Sequence, residues 1–198
     1  MFDLWLAPSA ALLLGYLLGS IPFGLLLAKA VGAGDLRKIG SGNIGATNVL
    51  RTGRKGIAAA TLILDVAKGA VAVLVGAMLA REGALLAGAG AFFGHCYPVW
   101  LRFNGGKGVA TYLGIALALH WPCGLVYAGV WLAAFATLRY SSVGGMLAAI
   151  SAPVSAAAFG RFDLVPLFLG LTVVLLWKHR GNIMRLLTGT EPRVGNSH

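Results

Sequence analysis

From Leu4 to Ala28 the chain runs without one charged side chain. A single helix built from such a run has no polar face to offer water. About 17–25 such residues are what an α-helix needs to cross the hydrocarbon core of a bilayer. The pattern recurs along the sequence. Apolar segments at Leu4–Ala30, Ile57–Ala80, Ala84–Leu101, Val109–His120, Trp121–Leu138, Val143–Gly160 and Phe162–Trp177 read as seven spans. Charged residues make up 11% of the chain, where a soluble domain carries about 25%. The expected fold is all-α: a polytopic membrane protein with seven transmembrane helices, forming a single domain over residues 1–198. The start, Met1-Phe2-Asp3-Leu4-Trp5, lacks the basic opening of a signal peptide, so the first run is expected to remain as a span.

Charge sets the orientation. Alternate connections hold Lys29, Arg37, Lys38, Arg51, Arg54 and Lys55, then Arg102 and Lys107, then Arg139, then Lys178, Arg180, Arg185 and Arg193. Thirteen of the 16 basic residues are thus on one side, against Arg81 and Arg161 on the other, with Lys68 inside a span. The positive side is the cytoplasmic one. The N-terminus is expected outside and the C-terminus in the cytoplasm. The net charge of +10 comes from these loops and does not call for nucleic acid as a partner. Cys96 and Cys123 fall near opposite ends of their spans, so they read as small apolar residues rather than a disulfide.

Three spans are irregular. Val109–His120 amounts to roughly 18 Å of helix at about 1.5 Å per residue, against a core of about 30 Å. The preceding Gly105-Gly106-Lys107-Gly108 is therefore expected to dip into the membrane, where irregular backbone survives only against protein or a wet cavity. Gly19-Ser20-Ile21-Pro22-Phe23-Gly24 and His95-Cys96-Tyr97-Pro98 are expected to kink the first and third spans.

The polar residues gather on the cytoplasmic side. Gly40-Ser41-Gly42-Asn43-Ile44-Gly45-Ala46-Thr47-Asn48-Val49-Leu50-Arg51 carries neutral donors at Ser41, Asn43, Thr47 and Asn48, a guanidinium at Arg51, and no carboxylate. Such a set suits phosphate. The competing reading is an ordinary polar loop. Gly105-Gly106-Lys107-Gly108-Val109-Ala110-Thr111 places a lysine among glycines before a helix, an anion-binding arrangement. It is not a Walker A loop, because Gly108 stands where Ser or Thr follows the lysine. Ser141-Ser142 opens the sixth span on the same side; one of the two, Ser141 first, is expected to N-cap the helix, and Ser142 joins this donor-rich face. His179 and Asn182 are three apart and share a helix face if the seventh helix continues past its basic end. Asp65 and Lys68 read as a structural pair within the second span, and His95 as a packing histidine.

Taken in order, these segments resemble the bacterial acyl-phosphate-dependent glycerol-3-phosphate acyltransferases, the PlsY family. The likeness rests on Gly19–Gly24, Ser41–Arg51, Leu64-Asp65-Val66-Ala67-Lys68-Gly69, His95, Pro98, Gly105–Thr111, and His179-Arg180, Asn182-Ile183, Arg185-Leu186 and Gly189-Thr190-Glu191. It implies a multi-pass enzyme of the bacterial inner membrane with its active site facing the cytoplasm. Such an enzyme moves a fatty acyl group from acyl phosphate to the 1-hydroxyl of glycerol 3-phosphate. The products are lysophosphatidic acid and phosphate, in the first acylation of phospholipid synthesis. Its implied partners are glycerol 3-phosphate, acyl phosphate and membrane lipid, with no cofactor, metal or obligate protein partner. Ser41, Arg51, Lys107, His179 and Asn182 are the implied catalytic set. Asn43, Thr47, Asn48, Gly105, Gly106 and Gly108 are the implied substrate-binding residues, and Ser142 is added to them for its place on the same cytoplasmic face.

Local chemistry agrees with the resemblance. Acyl phosphate is already activated, so no enzyme nucleophile is required. The other known class of glycerophosphate acyltransferase uses a His-x-x-x-x-Asp motif, but five residues beyond His95, His120 and His179 stand Trp100, Leu125 and Met184. Donors carried on coenzyme A or acyl carrier protein are therefore disfavoured. A transporter of a phosphorylated metabolite is the second reading, since it too wants cations and a broken helix. Purely structural membrane partners form a third class. The carboxylates fit the work of a general base poorly: Asp65 pairs with Lys68, Asp35 lies outside the donor-rich loop, and Glu191 is in the tail. Transfer assisted by the substrate's own phosphate is the expected mechanism, with His179 positioning phosphate or carbonyl.

Overall fold

The first apolar run breaks where its Ser-Ile-Pro stands. In the computed structural model, which describes residues 3–39 and 42–194, α1 (Asp3–Gly19) stops before Ser20, and α2 (Phe23–Ala30) begins after Pro22. A 3-10 turn at Leu36–Lys38 and a short α3 (Ala46–Leu50) follow. Next come α4 (Lys55–Leu79), α5 (Gly83–Cys96), a second 3-10 turn at Val99–Leu101, and α6 (Val109–Leu119). The last four helices are α7 (Trp121–Leu138), α8 (Ser141–Ala158), α9 (Val165–Lys178) and α10 (Arg180–Leu187). The described residues contain no strand.

Five stretches are long and apolar enough to cross a membrane: Trp5–Ala30, Lys55–Leu79, Gly83–Leu101, Trp121–Leu138 and Ser141–Ala158. Val109–Leu119 and Val165–Lys178 are apolar but shorter. The brevity of α6 agrees with the reading of Val109–His120. The protein is an integral membrane protein with several apolar helices. Large side chains such as Leu13, Ile63, Leu74, Met78, Val173 and Trp177 are exposed on these helices, a distribution suited to lipid rather than water.

Two compact units divide between Leu119 and His120. In the first, α1 packs on α5 through backbone contact. A Cβ at Gly15 or Gly19 would strike the carbonyls of Ala87 and Ala91, and one at Gly90 or Gly94 those of Leu12 and Tyr16. Glycines four apart on both helices thus let them approach closely, as membrane helices do without a hydrophobic driving force. The same device joins α4 to α6, where Gly69 faces the Thr111 carbonyl and Gly114 that of Val66. In the second unit α8 packs against both α7 and α9. Cys96 and Cys123 are buried and are not joined in a disulfide, in line with their reading as small apolar residues.

Candidate active site

In the first unit the donor-rich loop is drawn together by Asn48. Its Nδ2 donates to the carbonyls of Leu36 (2.8 Å), Ile39 (3.0 Å) and Asn43 (2.7 Å). Its side chain is buried while Asn43 and Thr47 remain partly open. The amide hydrogens of Asn48 are thus spent within the loop, which they hold in shape. Asn43 Oδ1 accepts from the Ile44 amide at 3.0 Å. Leu36 and Val49 pin the loop below, in a small core with Ala28 and Ala58. Arg51 follows α3 and is exposed. Ser41 lies outside the described residues. The Arg37 guanidinium grips the Asp35 carboxylate, with Nε 2.9 Å from Oδ1 and Nη2 2.8 Å from Oδ2. The side-chain and backbone hydrogen bonds from Arg37 lower its pKa to about 2, so it stays ionised and engaged.

The glycine loop hangs from the end of α5. Gly105 N donates to the Cys96 carbonyl (3.2 Å) and Gly106 N to that of His95 (3.0 Å). Gly108 sits at φ +87°, where a side chain is strained, and a Cβ there would collide with the Phe92 ring. Lys107 is partly buried. The turn feeding the loop has two non-glycine residues at positive φ, Arg102 (51°) and Phe103 (61°). Such geometry persists only where its surroundings over-determine it.

His95 is more than packing. Its Nδ1 lies 3.7 Å from Asp65 Oδ1, and Lys68 Nζ reaches the same oxygen at 2.8 Å. The Asp65–Lys68 pairing expected from sequence is therefore present, with a histidine added. Helical spacing shows the pair on α4, but nothing in it brings α5 alongside.

In the second unit the groups converge on a carboxylate that sequence reasoning left in the tail. Glu191 Oε1 accepts from Ser142 Oγ (2.5 Å) and Asn182 Nδ2 (2.6 Å), and Oε2 accepts from Arg185 Nε (2.8 Å). All three residues brought together here lie in predicted motifs. Burial raises the Glu191 pKa, but the hydrogen bonds from Ser142, Asn182 and Arg185 outweigh it and leave the value lowered. The tail is clasped further: Val194 N donates to the Arg139 carbonyl (3.0 Å), and Arg193 Nε to the Tyr140 hydroxyl (3.1 Å). Tyr140, not a serine, is the N-cap residue of α8. Ser141, expected as the cap, is instead the first residue of α8, and Ser142 bonds Glu191. The available signal was Glu191 itself, an isolated carboxylate in a basic segment.

The seventh apolar helix does not run straight through. It is interrupted at His179, between α9 and α10, although His179 N still donates to Leu175 (3.0 Å) and Ile183 N to His179 (2.9 Å). His179 is buried, and its Nδ1 lies 2.8 Å from the Leu175 carbonyl. A carbonyl only accepts, so Nδ1 carries the hydrogen in this bond. Asn182 sits one turn on, in the first turn of α10.

Known proteins share this sequence and this fold. A family model described as glycerol-3-phosphate acyltransferase covers residues 9–189. A glycerol-3-phosphate acyltransferase of Rhodopseudomonas palustris (strain BisB5) is 58% identical over 187 residues, covering 94% of this chain and 95% of its own. One from Dinoroseobacter shibae is 56% identical over 199 residues, covering 98% of each. Crystal structures of PlsY (YgiH), an integral membrane glycerol 3-phosphate acyltransferase, share the fold. The glycerol 3-phosphate form has TM-score 0.90 at 38% identity, over 95% of this chain and 96% of that one. The lysophosphatidic acid form has TM-score 0.88 at 36% identity, over 95% of each. With sequence, family and fold in agreement over nearly its whole length, the chain belongs to the glycerol-3-phosphate acyltransferases.

Proposed function

We propose that this chain transfers a fatty acyl group from acyl phosphate to the 1-hydroxyl of sn-glycerol 3-phosphate. The observation that carries the reading is its likeness to an acyltransferase solved in both a glycerol 3-phosphate form and a lysophosphatidic acid form. The whole chain acts as one membrane domain with seven spans, the N-terminus outside and the C-terminus inside. It resides in the bacterial inner membrane, and the thirteen-to-two split of basic residues supports a cytoplasmic site.

In this reading Lys107 and Arg51 neutralise phosphate, and the Gly108 amide with Ser41, Asn43 and Thr47 receives its oxygens, while Gly105 and Gly106 spend their amides on the Cys96 and His95 carbonyls and hold the loop in place. Asn48 contributes by shaping its loop. Asn182 donates to the acyl carbonyl as it gains charge, or His179 does so through Nε2 in its protonated form, since Nδ1 is spent on the Leu175 carbonyl; Ser142 shares the anchorage of Asn182 on Glu191. The acyl tail lies among lipid-facing helices. The glycerol hydroxyl attacks the carbonyl carbon, the bond to the phosphate oxygen breaks, and the departing phosphate takes the proton. Substrate assistance is supported by the state of the carboxylates. Asp35 is engaged by Arg37, Asp65 by Lys68, Asp163 by Arg161, and Glu191 by three donors. No cofactor is required, because the donor is already activated.

Purified protein in lipid, given acyl phosphate and glycerol 3-phosphate, is expected to release inorganic phosphate and form lysophosphatidic acid in equal amounts. Acyl coenzyme A in place of acyl phosphate is expected to give no product. Uptake of glycerol 3-phosphate into sealed vesicles without phosphate release would favour transport and refute the proposal.

A further inference from the structure

Three ionisable groups meet inside the first unit at a place the proposed chemistry does not use. Asp65, Lys68 and His95 are 3%, 5% and 5% exposed. Apolar residues of similar volume would join α4 to α5 without the cost of desolvating charge. What apolar residues would not do is grip backbone at defined points. Lys68 Nζ donates to the Ile21 carbonyl at 2.9 Å, in the break between α1 and α2, and lies 5.7 Å from the centre of the Phe23 ring. Asp65 stands between Lys68 and His95.

His95 then meets the glycine loop twice. Its carbonyl receives the Gly106 amide, and its ring lies so close that a Cβ at Gly106 would collide with Nε2. There is no slack between ring and loop, and Lys107 is the next residue. The segment between His95 and the loop is tied to the same helix break. Trp100 Nε1 donates to the Ser20 carbonyl (2.8 Å). Tyr16 Oη donates to the Tyr97 carbonyl (2.9 Å) and accepts from Val99 N (3.0 Å).

We propose that Asp65, Lys68 and His95 are positioning residues for the Gly105–Lys107 loop, which they fix against the break in the first membrane helix. They thereby set affinity for the phosphorylated substrate that the loop holds rather than the rate of acyl transfer. This rests on the reading of the Lys107 loop as a phosphate site.

The test is steady-state kinetics with each substrate varied in turn, on variants whose elution and melting match the parent. Lys107→Ala first identifies the substrate whose KM depends on the loop. Asp65→Asn, Lys68→Met and His95→Ala are expected to raise the KM of that same substrate about tenfold or more, with kcat within about threefold, the pattern of lost uniform binding. Gly106→Ala presses a methyl on the His95 ring without touching an ionic group. It is expected to reproduce the rise, and adding His95→Ala is expected to lower KM again by making room. That pair carries the test if Asp65→Asn does not fold. Unchanged KM values in the Asp65, Lys68 and His95 variants would overturn the proposal alone, provided Lys107→Ala raises one. So would effects of Gly106→Ala and His95→Ala that simply multiply. If Lys107→Ala leaves both KM values unaltered, the phosphate-site reading fails and takes this proposal with it.

Discussion

Glu191 joins the tail to α8 and α10, and its removal should be felt in stability before chemistry. Glu191→Ala leaves the Ser142 hydroxyl and the Asn182 amide, both buried, facing empty space. Each abandoned donor costs about 1–3 kcal/mol. The bond from Arg185 adds little, because the arginine side chain is 36% exposed and partly screened pairs contribute about 0–1 kcal/mol. The expected loss is on the order of 2–6 kcal/mol. Glu191→Gln keeps an oxygen for Ser142 and Asn182 but turns an amide toward Arg185. It should cost only about 1 kcal/mol. The assay is thermal melting of purified protein in detergent, with activity measured on the fraction still folded. Equal melting of the alanine and glutamine variants would refute the idea that accepting from Ser142 and Asn182 is the main task of this residue. The pH dependence has a definite sign. The folded-state pKa lies below the ordinary 4.5, so the ionised group stabilises the fold above that value. That contribution fades as pH falls through the folded value. Parent protein should therefore lose more stability on acidification than Glu191→Gln, which has no proton to take up.

Lys107→Ala is expected to cost on the order of 2–4 kcal/mol in kcat/KM, read from phosphate release. Lys107→Arg should not fully restore activity, because Gly108 lies against Phe92 and leaves a planar fork little freedom. His179→Asn and His179→Gln should keep measurable turnover, more than Ser41→Ala or Lys107→Ala. A fall of about 10²–10⁴-fold in every His179 variant, with loss of an acidic limb in the pH profile, would make His179 the general base. A cysteine placed at position 43 or 182 should react with impermeant reagents only from the cytoplasmic side, and labelling from outside would contradict the topology.

Membrane helices were the most legible part of the chain, because in a bilayer the backbone has so few alternatives. The break at Ser20–Pro22 follows from proline chemistry, and the shortness of α6 from counting residues between Gly108 and His120. The interruption at His179 has no such marker: Lys178-His179-Arg180 contains neither proline nor glycine, and the helical hydrogen bonds pass through it. Sequence reading accordingly left open whether the helix continued.

The limits of reading the site have one physical cause. A motif shows which donors and charges a segment owns, but not where they are spent. Asn48 looks like a presented donor beside Thr47, yet its hydrogens go to three carbonyls of its own loop. Glu191 looks like a tail residue, yet two donors separated from it by 49 and 9 residues end on one of its oxygens. His95 looks like filler at the end of an apolar helix until α4 brings Asp65 to it and the chain turns back to lay Gly106 on its ring. Glu191 and His95 are polar and buried, and they meet partners from other segments. Burial makes an unpaired polar group expensive, so such a residue must find its partner elsewhere in the chain. In this protein those partners lie in or beside the segments read as phosphate-binding, because loops that display donors to an anion need other groups behind them to stay in place.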